Sequence, residues 1–210
     1  MVSISNAAWH NARLYHAAIS PNIIMSPEQR KQASELQLHK RGIRINVQLH
    51  VIESDEEVTL RSRDEVFQRL IALWAVSSAA LARDCKRFRD YLDANQMTSF
   101  LSKQEQTFLS AAEPTEEQFK QFSSRQESLY FLAWCAGLTE KITLTAAPSN
   151  LKNIYKLFPH EAEAPSKLAV AIRLRRKDLI MDSSDLLYRL HWEVRHSQLT
   201  GRPCPASVNA

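Results

Sequence analysis

The chain has 210 residues, of which 44% are hydrophobic and 24% are charged, and these proportions are typical of one folded globular domain. Its formal net charge of +4 and sequence pI near 9.0 are too weakly basic to indicate nucleic-acid binding by themselves. Only three glycines occur and they lie far apart, which excludes a P-loop and a glycine-rich dinucleotide-binding loop.

The N-terminal residues 1–25 contain one basic residue, Arg13, and no acidic residue. They lack the arginines of a mitochondrial leader and the continuous apolar core of a secretory leader. We therefore predict a tail or a short docked helix over 1–25, a helical domain over 26–203 and a C-terminal tail over 204–210. No run of 18 apolar residues occurs in the sequence, so we expect no membrane span.

The cysteines Cys85, Cys135 and Cys204 are odd in number, widely spaced and form no CxxC pair. This pattern is typical of reduced thiols in a cytoplasmic protein and not of a disulfide framework. The sequence therefore predicts a cytoplasmic location.

Four capping boxes predict where helices begin. In each, a Ser or Thr is followed three residues later by Glu or Gln, so that side-chain and backbone groups satisfy one another in the first turn. They start at Ser26, Ser62, Ser102 and Thr115, and the helix after Ser62 carries a broad apolar face. The glycines lie where helices are expected to end. These signals predict a mainly α fold, a single multi-helix orthogonal or antiparallel bundle.

One segment, residues 43–51, has the alternation of a strand. Its sequence IRINVQLHV places apolar residues at every second position. Such a period of two indicates a half-buried β-strand, with partners at 58–60 or 142–144. We therefore expect at most one small β-sheet or hairpin.

The second half of the chain supplies the predicted centre of the core. Residues 129–138 are apolar on every side, as in a buried helix. A short helix is predicted at 151–158, between prolines. A further helix from Ser166 is expected to end in the basic run, which consists of Arg173, Arg175, Arg176 and Lys177.

The segment 182–196 combines many polar groups with apolar surface. Asp182 has the position of an N-cap, with Asp185 in the first turn of the helix that follows. Asp185 and Glu193 each lie four residues from Arg189, so this guanidinium can contact both carboxylates. Tyr188, Trp192 and Leu199 form a second apolar stripe.

Arg189 is also suited to joining helices, because a planar guanidinium has five donors. We predict that Arg189 is mostly buried and pairs with Asp185 and with one acid from another helix, either Glu65 or Glu127. Such a pair is expected to be structural.

Several blocks of the sequence resemble a family called domain of unknown function 4272. The blocks are residues 60–76, 101–109, 124–138 and 178–203, of which the last is the most specific. The resemblance implies a predominantly helical intracellular domain of bacterial type, with no activity attached. This sequence departs from the family pattern at Leu179, where the family is expected to have an acidic residue, and at Glu193, where it is expected to have an alanine. Family members are also expected to continue beyond the equivalent of Pro205 into a further segment. The matching polar positions are Arg61, Glu65, Arg69, Arg125, Glu127, Asp182, Asp185, Tyr188, Arg189, His191 and Trp192.

These residues are compatible with three alternative functions. The first is a protein-interaction or accessory role, with a protein partner or a second copy of the chain. The second is an enzyme or a small-ligand-binding protein that uses the polar groups around Asp185, Arg189 and His191. The third is weak nucleic-acid binding through the basic run, with a second basic patch at 39–44.

The candidate catalytic residues are Asp182, Asp185, His191 and Glu127, and the candidate binding residues are Arg125, Tyr188, Arg189 and Trp192. His191 lies well around the helix from Asp182 and Asp185, and HExxH and GxSxG motifs are absent. We therefore predict no metal site and no cofactor.

Overall fold

A computed structural model of the chain describes residues 25–142, 149–159 and 163–203. Within these ranges it contains nine α-helices and no strand. The helices are α1 Pro27–Lys40, α2 Arg63–Ala82, α3 Cys85–Ala94, α4 Lys103–Ser110, α5 Glu116–Ser123, α6 Arg125–Cys135, α7 Lys152–Tyr155, α8 Ser166–Ala171 and α9 Lys177–Leu199. The predicted helical bundle is confirmed. The tails predicted for 1–25 and 204–210 lie, apart from Met25, outside the described residues.

All four predicted capping boxes are present. The side chains of Ser26, Ser62, Ser102 and Thr115 accept hydrogen bonds at the starts of α1, α2, α4 and α5, and the reciprocal bond is present in each. Helix starts are set by a few neighbouring residues, which is why sequence alone locates them. Asp84 caps α3 in the same way without a reciprocal partner.

The core is built around α2, which packs against α3, α4, α5 and α6. Its residues Leu70, Ile71 and Val76 are fully buried. Trp74 packs edge-on against Phe88 and is stacked on Phe158, with ring centroids 5.4 and 5.5 Å apart. By length and composition α2 could cross a membrane, but most of it is enclosed in the fold, as in a core helix.

The strand predicted at 43–51 is wrong, because this segment is irregular. Its carbonyl groups accept hydrogen bonds from side chains and not from a neighbouring strand. Lys31 Nζ donates to the carbonyls of Val47 and Leu49 at 2.6 and 2.7 Å. The apolar residues also fail to share one face, since Ile43 is 2% exposed and Val47 is 59% exposed.

Arg173, Arg175 and Arg176 of the basic run lie in an extended link between α8 and α9, and Lys177 is the first residue of α9, so the run is not at the end of α8 as predicted. The backbone amides of Arg173 and Arg175 donate to the carbonyls of Ala136 and Cys135, each at 2.9 Å. These carbonyls are at the end of α6, where a helix leaves acceptors without partners. The link therefore completes α6, and Gly137 turns the chain beside it with φ of +73°.

Helices α1 and α9 form a second layer. Arg30 contacts Asp182 near their N-terminal ends, and Leu38 packs with Leu190 farther along both helices. The two helices therefore run in the same direction, although they come from opposite ends of the described chain. The irregular segment after α1 closes over them through Arg189, which donates to the carbonyl of His50 at 3.2 Å.

An ion pair between a buried glutamate and a partly exposed arginine joins α2 to α4 and gives a pH-dependent prediction. Both carboxylate oxygens of Glu105 accept from Arg69 at 2.9 Å, and the Ser102 amide donates to Glu105 at 2.8 Å. Burial by itself raises the pKa of Glu105, but Arg69 and Ser102 outweigh it and hold the pKa below the usual value of 4.5. The carboxylate therefore stabilises the fold above pH 4.5, and this stabilisation is lost as the pH falls through the lowered pKa.

We expect Glu105→Gln to lower the free energy of unfolding by roughly 2 kcal/mol at neutral pH, because charged hydrogen bonds are lost. The difference in the free energy of unfolding between this variant and the wild type should shrink as the pH is lowered. Urea unfolding over a pH series measures it, with the exposed Glu117→Gln as the matched control. A difference that stays constant down to the lowest pH would contradict the role of the charge.

Candidate functional site

The candidate residues of the last segment all lie on α9, but the helix begins earlier than predicted. It starts at Lys177 and has Arg176 at its N-cap position, so the prediction of Asp182 as N-cap is wrong. Asp182 lies in the second turn instead. The link to α6 fixes the chain just before Lys177, and the helix starts as soon as that link ends.

Asp182 belongs to a cluster around Arg30 of α1. Arg30 is only 1% exposed. Its Nε donates to Asp182 at 2.8 Å and its Nη2 to Asp55 at 2.7 Å. Burial lowers the pKa of Arg30, but the hydrogen bonds to Asp182 and Asp55 outweigh burial, so the pKa is raised overall. Lys177 donates to the backbone carbonyl of Asp55.

Asp185 and Arg189 form the most buried pair of the site. They are 0% and 2% exposed, and Arg189 donates to the two oxygens of Asp185 at 2.9 and 2.8 Å. The prediction of a buried Arg189 paired with Asp185 is confirmed. The acid from another helix is Glu35 of α1, whose Oε1 lies 3.5 Å from Arg189 Nη1, and not Glu65 or Glu127. Glu193 forms no ion pair with Arg189 and accepts from Ser197 at 3.1 Å.

The two clusters form one charged layer between α1, α9 and the irregular segment, which we call the α1–α9 charge layer. Its basic members are Arg30, Lys31, Lys177 and Arg189, and its acidic members are Glu35, Asp55, Asp182 and Asp185. The layer contains as many acids as bases. Three atoms of the layer are buried without hydrogen-bond partners: Nη1 of Arg30, Nη1 of Arg189 and Oε1 of Glu35, of which the last two lie 3.5 Å apart. Ion pairs of the layer therefore join α1 directly to α9.

His191 is exposed and lies outside the α1–α9 charge layer. It is separated from Asp185 by about 120° around the helix, so the two cannot act on one group. Tyr188 is 39% exposed. Trp192 is half-buried and stacks on His196, with ring centroids 4.8 Å apart and 10° between the planes.

Glu127 and Arg125 lie in the first turn of α6, away from the α9 candidates. Glu127 is exposed and accepts from the amide and hydroxyl of Ser149 at 3.0 and 2.6 Å. The Nε of Arg125 is buried without a hydrogen-bond partner. Within the described ranges neither residue forms a hydrogen bond or ion pair with α9.

A cavity that the sequence did not reveal lies where α1 and α9 end. Its volume is 490 Å³, and it is lined by His39, Gly42, Ile43, Arg44, Glu193, Ser197, Arg202 and Pro203. Glu193 is 4% exposed, and its Oε2 has no hydrogen-bond partner. We call this space the Glu193 cavity. Its residues come from two separate stretches of the chain, 39–44 and 193–203, and only the basic patch at 39–44 was a signal for any of them.

The part of the chain that the structure describes contains no group of three His, Cys, Asp or Glu side chains placed to hold a metal ion. Cys85 and Cys135 are buried free thiols. Burial raises the pKa of Cys135 to about 11, so this thiol is protonated and poorly nucleophilic at neutral pH.

Comparison with known proteins gives one match. A family model described as a domain of unknown function (DUF4272) matches residues 30–210. No curated protein and no solved structure matches the chain.

Proposed function

We propose that this chain, which belongs to the DUF4272 family of domains of unknown function, has a protein-interaction or accessory role and binds its partner through the outer face of α9. The observation that carries the proposal is the exposure of large apolar side chains on this helix. Tyr188 is 39% exposed and Leu199 is 78% exposed. The inner face of the same helix is occupied by the α1–α9 charge layer.

Four residues define this outer face: Tyr188, Trp192, Arg195 and Leu199. They lie within about 60° of one another around the helix and extend over three turns. A continuous apolar strip on a helix is a common recognition surface for a second amphipathic helix. Aromatic side chains and arginine are enriched at the centres of such interfaces.

The charge of the face indicates an acidic partner. From Leu186 to Pro203 the one acidic residue is Glu193, and its side chain is buried. Arg195 is exposed on the face and Arg202 is exposed beyond its end. Two copies of the chain would bring these cations together, which opposes self-association. The proposed partner is therefore an acidic amphipathic helix.

Catalysis by the candidate residues receives less support from the geometry. Asp182, Asp185 and Arg189 are engaged with one another or with α1, and His191 points away from them. General acid–base catalysis needs such groups within hydrogen-bond reach of a substrate. Their present contacts favour a structural role.

Nucleic-acid binding is likewise less supported, because the basic run is occupied by the chain itself. Arg175 donates to the carbonyl of Trp134 at 2.7 Å, and its guanidinium lies 4.6 Å from the centre of the Trp134 ring. Arg173 donates to the carbonyl of Val170 at 2.7 Å. Arg176 pairs with Asp178. A cytoplasmic location also belongs to the proposal, and the buried free thiols are compatible with it.

Binding of a designed helical peptide tests the proposed function. The peptide carries leucines at heptad spacing, glutamates on its flanks and a fluorescent label for anisotropy. We expect the wild-type chain to bind it, and Leu199→Glu to weaken binding by about tenfold or more, because the change adds a like charge and removes apolar contact. The matched control is Val170→Glu, on α8, where the valine is 67% exposed.

A peptide with lysines in place of the glutamates should bind more weakly. Equal binding to the wild type and Leu199→Glu, or equal binding of the acidic and basic peptides, would contradict the proposal. Dimers in sedimentation that are lost in Leu199→Glu would instead assign the face to a second copy of the chain.

A further inference from the structure

We propose that residues 46–60 form an ionic strap, which opens separately from the core and so controls access to the α1–α9 charge layer. The ionic strap belongs to the stretch 41–62 between α1 and α2, which contains neither helix nor strand. Connections longer than about 12–15 residues without secondary structure are uncommon in compact domains and are often functional. The proposal does not depend on the partner proposed for the outer face of α9.

Apolar packing does not hold the ionic strap in place. None of its side chains is buried, and Val47 and Val51 are 59% and 39% exposed. The hydrophobic cluster between α1 and α9 includes Ile43 and Ile45, which precede the ionic strap, but no residue of the strap itself. A segment with few buried apolar contacts opens at a lower free energy than the core.

Cationic side chains of α1 and α9 hold the ionic strap instead. Lys31 of α1 donates to the carbonyls of Val47 and Leu49 at 2.6 and 2.7 Å. Arg189 of α9 donates to the carbonyl of His50 at 3.2 Å. These contacts fix the first part of the ionic strap across both helices.

Asp55 is the attachment point of the second part. Its carboxylate accepts from Arg30 of α1 at 2.7 Å, and its backbone carbonyl accepts from Lys177 of α9. Within 25–142, 149–159 and 163–203, each hydrogen bond that joins the ionic strap to the rest of the chain is donated by a cation. The four donors are Arg30, Lys31, Lys177 and Arg189.

The ionic strap carries the charge opposite to that of its donors. It contains no Lys or Arg and has four acids: Glu53, Asp55, Glu56 and Glu57. Closing places this acidic segment on four cations, whereas opening separates the opposite charges in solvent. Salt screens charges in solvent much more than enclosed charges. A higher ionic strength therefore favours the open state.

Opening changes the surroundings of two candidate-site arginines. With the ionic strap closed, Arg30 and Arg189 are 1% and 2% exposed. Opening takes the Asp55 carboxylate from Arg30 and the His50 carbonyl from Arg189. Both guanidinium groups then become accessible to small solutes, while the contacts within α2 to α6 are unchanged.

Chemical modification of arginine in the full chain tests the proposal. Phenylglyoxal reacts with accessible guanidinium groups, and mass spectrometry of peptides gives the rate at each arginine. We expect Arg30 and Arg189 to react more slowly than the exposed Arg195, which serves as the internal reference. Relative to Arg195, their rates should rise about fivefold between about 0.05 M and about 1 M sodium chloride.

Lys31→Met removes two attachments of the ionic strap and keeps a side chain of similar length. It should raise the rate at Arg189 about fivefold at the lower salt concentration and reduce the effect of salt, because fewer charges then hold the closed state. Lys40→Met is the matched control, since Lys40 is exposed on the last turn of the same helix. This control should leave the rates unchanged.

Leu70→Ala separates opening of the ionic strap from unfolding of the whole chain. Leu70 is fully buried in the core, so its truncation destabilises the fold but leaves the attachments of the ionic strap intact. The rates at Arg30 and Arg189 should be the same as in the wild type. Faster reaction of both arginines in Leu70→Ala would overturn the proposal, because they would then react only after global unfolding.

Three other results would also overturn it. The first is the absence of reaction at Arg30 and Arg189 at both salt concentrations, and the second is a rate that salt does not change. The third is equal rates in Lys31→Met and Lys40→Met, since the cation would then have no part in holding the ionic strap.

Discussion

Gly137→Ala is expected to lower the free energy of unfolding by about 2–5 kcal/mol. Gly137 has φ of +73°, and the left-handed conformation costs an alanine about 1–2 kcal/mol. A Cβ atom there would also lie 2.4 Å from the carbonyl oxygen of Arg173, which is backbone and cannot turn aside. Relieving this overlap would pull the link away from α6 and weaken its 2.9 Å hydrogen bonds to Ala136 and Cys135.

Gly42→Ala and Gly201→Ala are the matched controls. Both glycines end helices with positive φ, +69° and +65°, but neither would place a Cβ within 4 Å of another atom. Each of these two substitutions should therefore lower the free energy of unfolding by about 1–2 kcal/mol, which is the cost of the left-handed backbone conformation alone. Urea unfolding followed by circular dichroism compares the three. Equal losses at the three positions would show that the contact with Arg173 has no energetic weight.

Asp185→Asn is expected to lower the free energy of unfolding by about 3–5 kcal/mol. The carboxylate is 0% exposed, and its loss leaves the buried Arg189 guanidinium without its bidentate partner. The double change Asp185→Leu with Arg189→Met should be less destabilising than the single change, because the two buried charges are removed together and Glu35 keeps its ion pair with Lys31. Melting curves and urea unfolding of the variants measure this difference.

His191→Ala provides the contrast on the same helix. Because His191 is exposed, its removal should change the free energy of unfolding by no more than about 0.5 kcal/mol. If Asp185→Asn also left stability unchanged, the structural role of the α1–α9 charge layer would be wrong. Such a result would favour the enzyme alternative for Asp185.

The helical fold could be predicted because its signals are local. A capping box such as that at Ser62 needs only four consecutive residues, and the structure forms all four of them. The strand at 43–51 could not be rejected from sequence. Its alternation is real, but Lys31 and Arg189, distant in sequence, occupy the carbonyls that a strand partner would need. The start of α9 was misplaced because the link before it depends on distant carbonyls of α6.

In the candidate site, too, only the contacts within one helix could be predicted from the sequence. Asp185 and Arg189 are four residues apart on one helix, so helix geometry alone places them in contact. The second acid, Glu35, could not be identified, because no local signal shows that α1 packs beside α9. The Glu193 cavity was missed for this reason too, since Arg44 and Arg202 are brought together only by that packing.

The pairing of α1 with α9 has a consequence for the order of folding during synthesis. The contact between Arg30 and Asp182 spans 152 residues of chain. At about 5–20 residues per second, α1 leaves the ribosome roughly 8–30 s before α9. Helices α2 to α6 carry most of the core within one continuous stretch and can assemble during this interval. Until α9 arrives, Arg30 lacks Asp182, its acidic partner on α9. This layer is therefore the last to close, and its hydrogen-exchange protection should appear after that of α2.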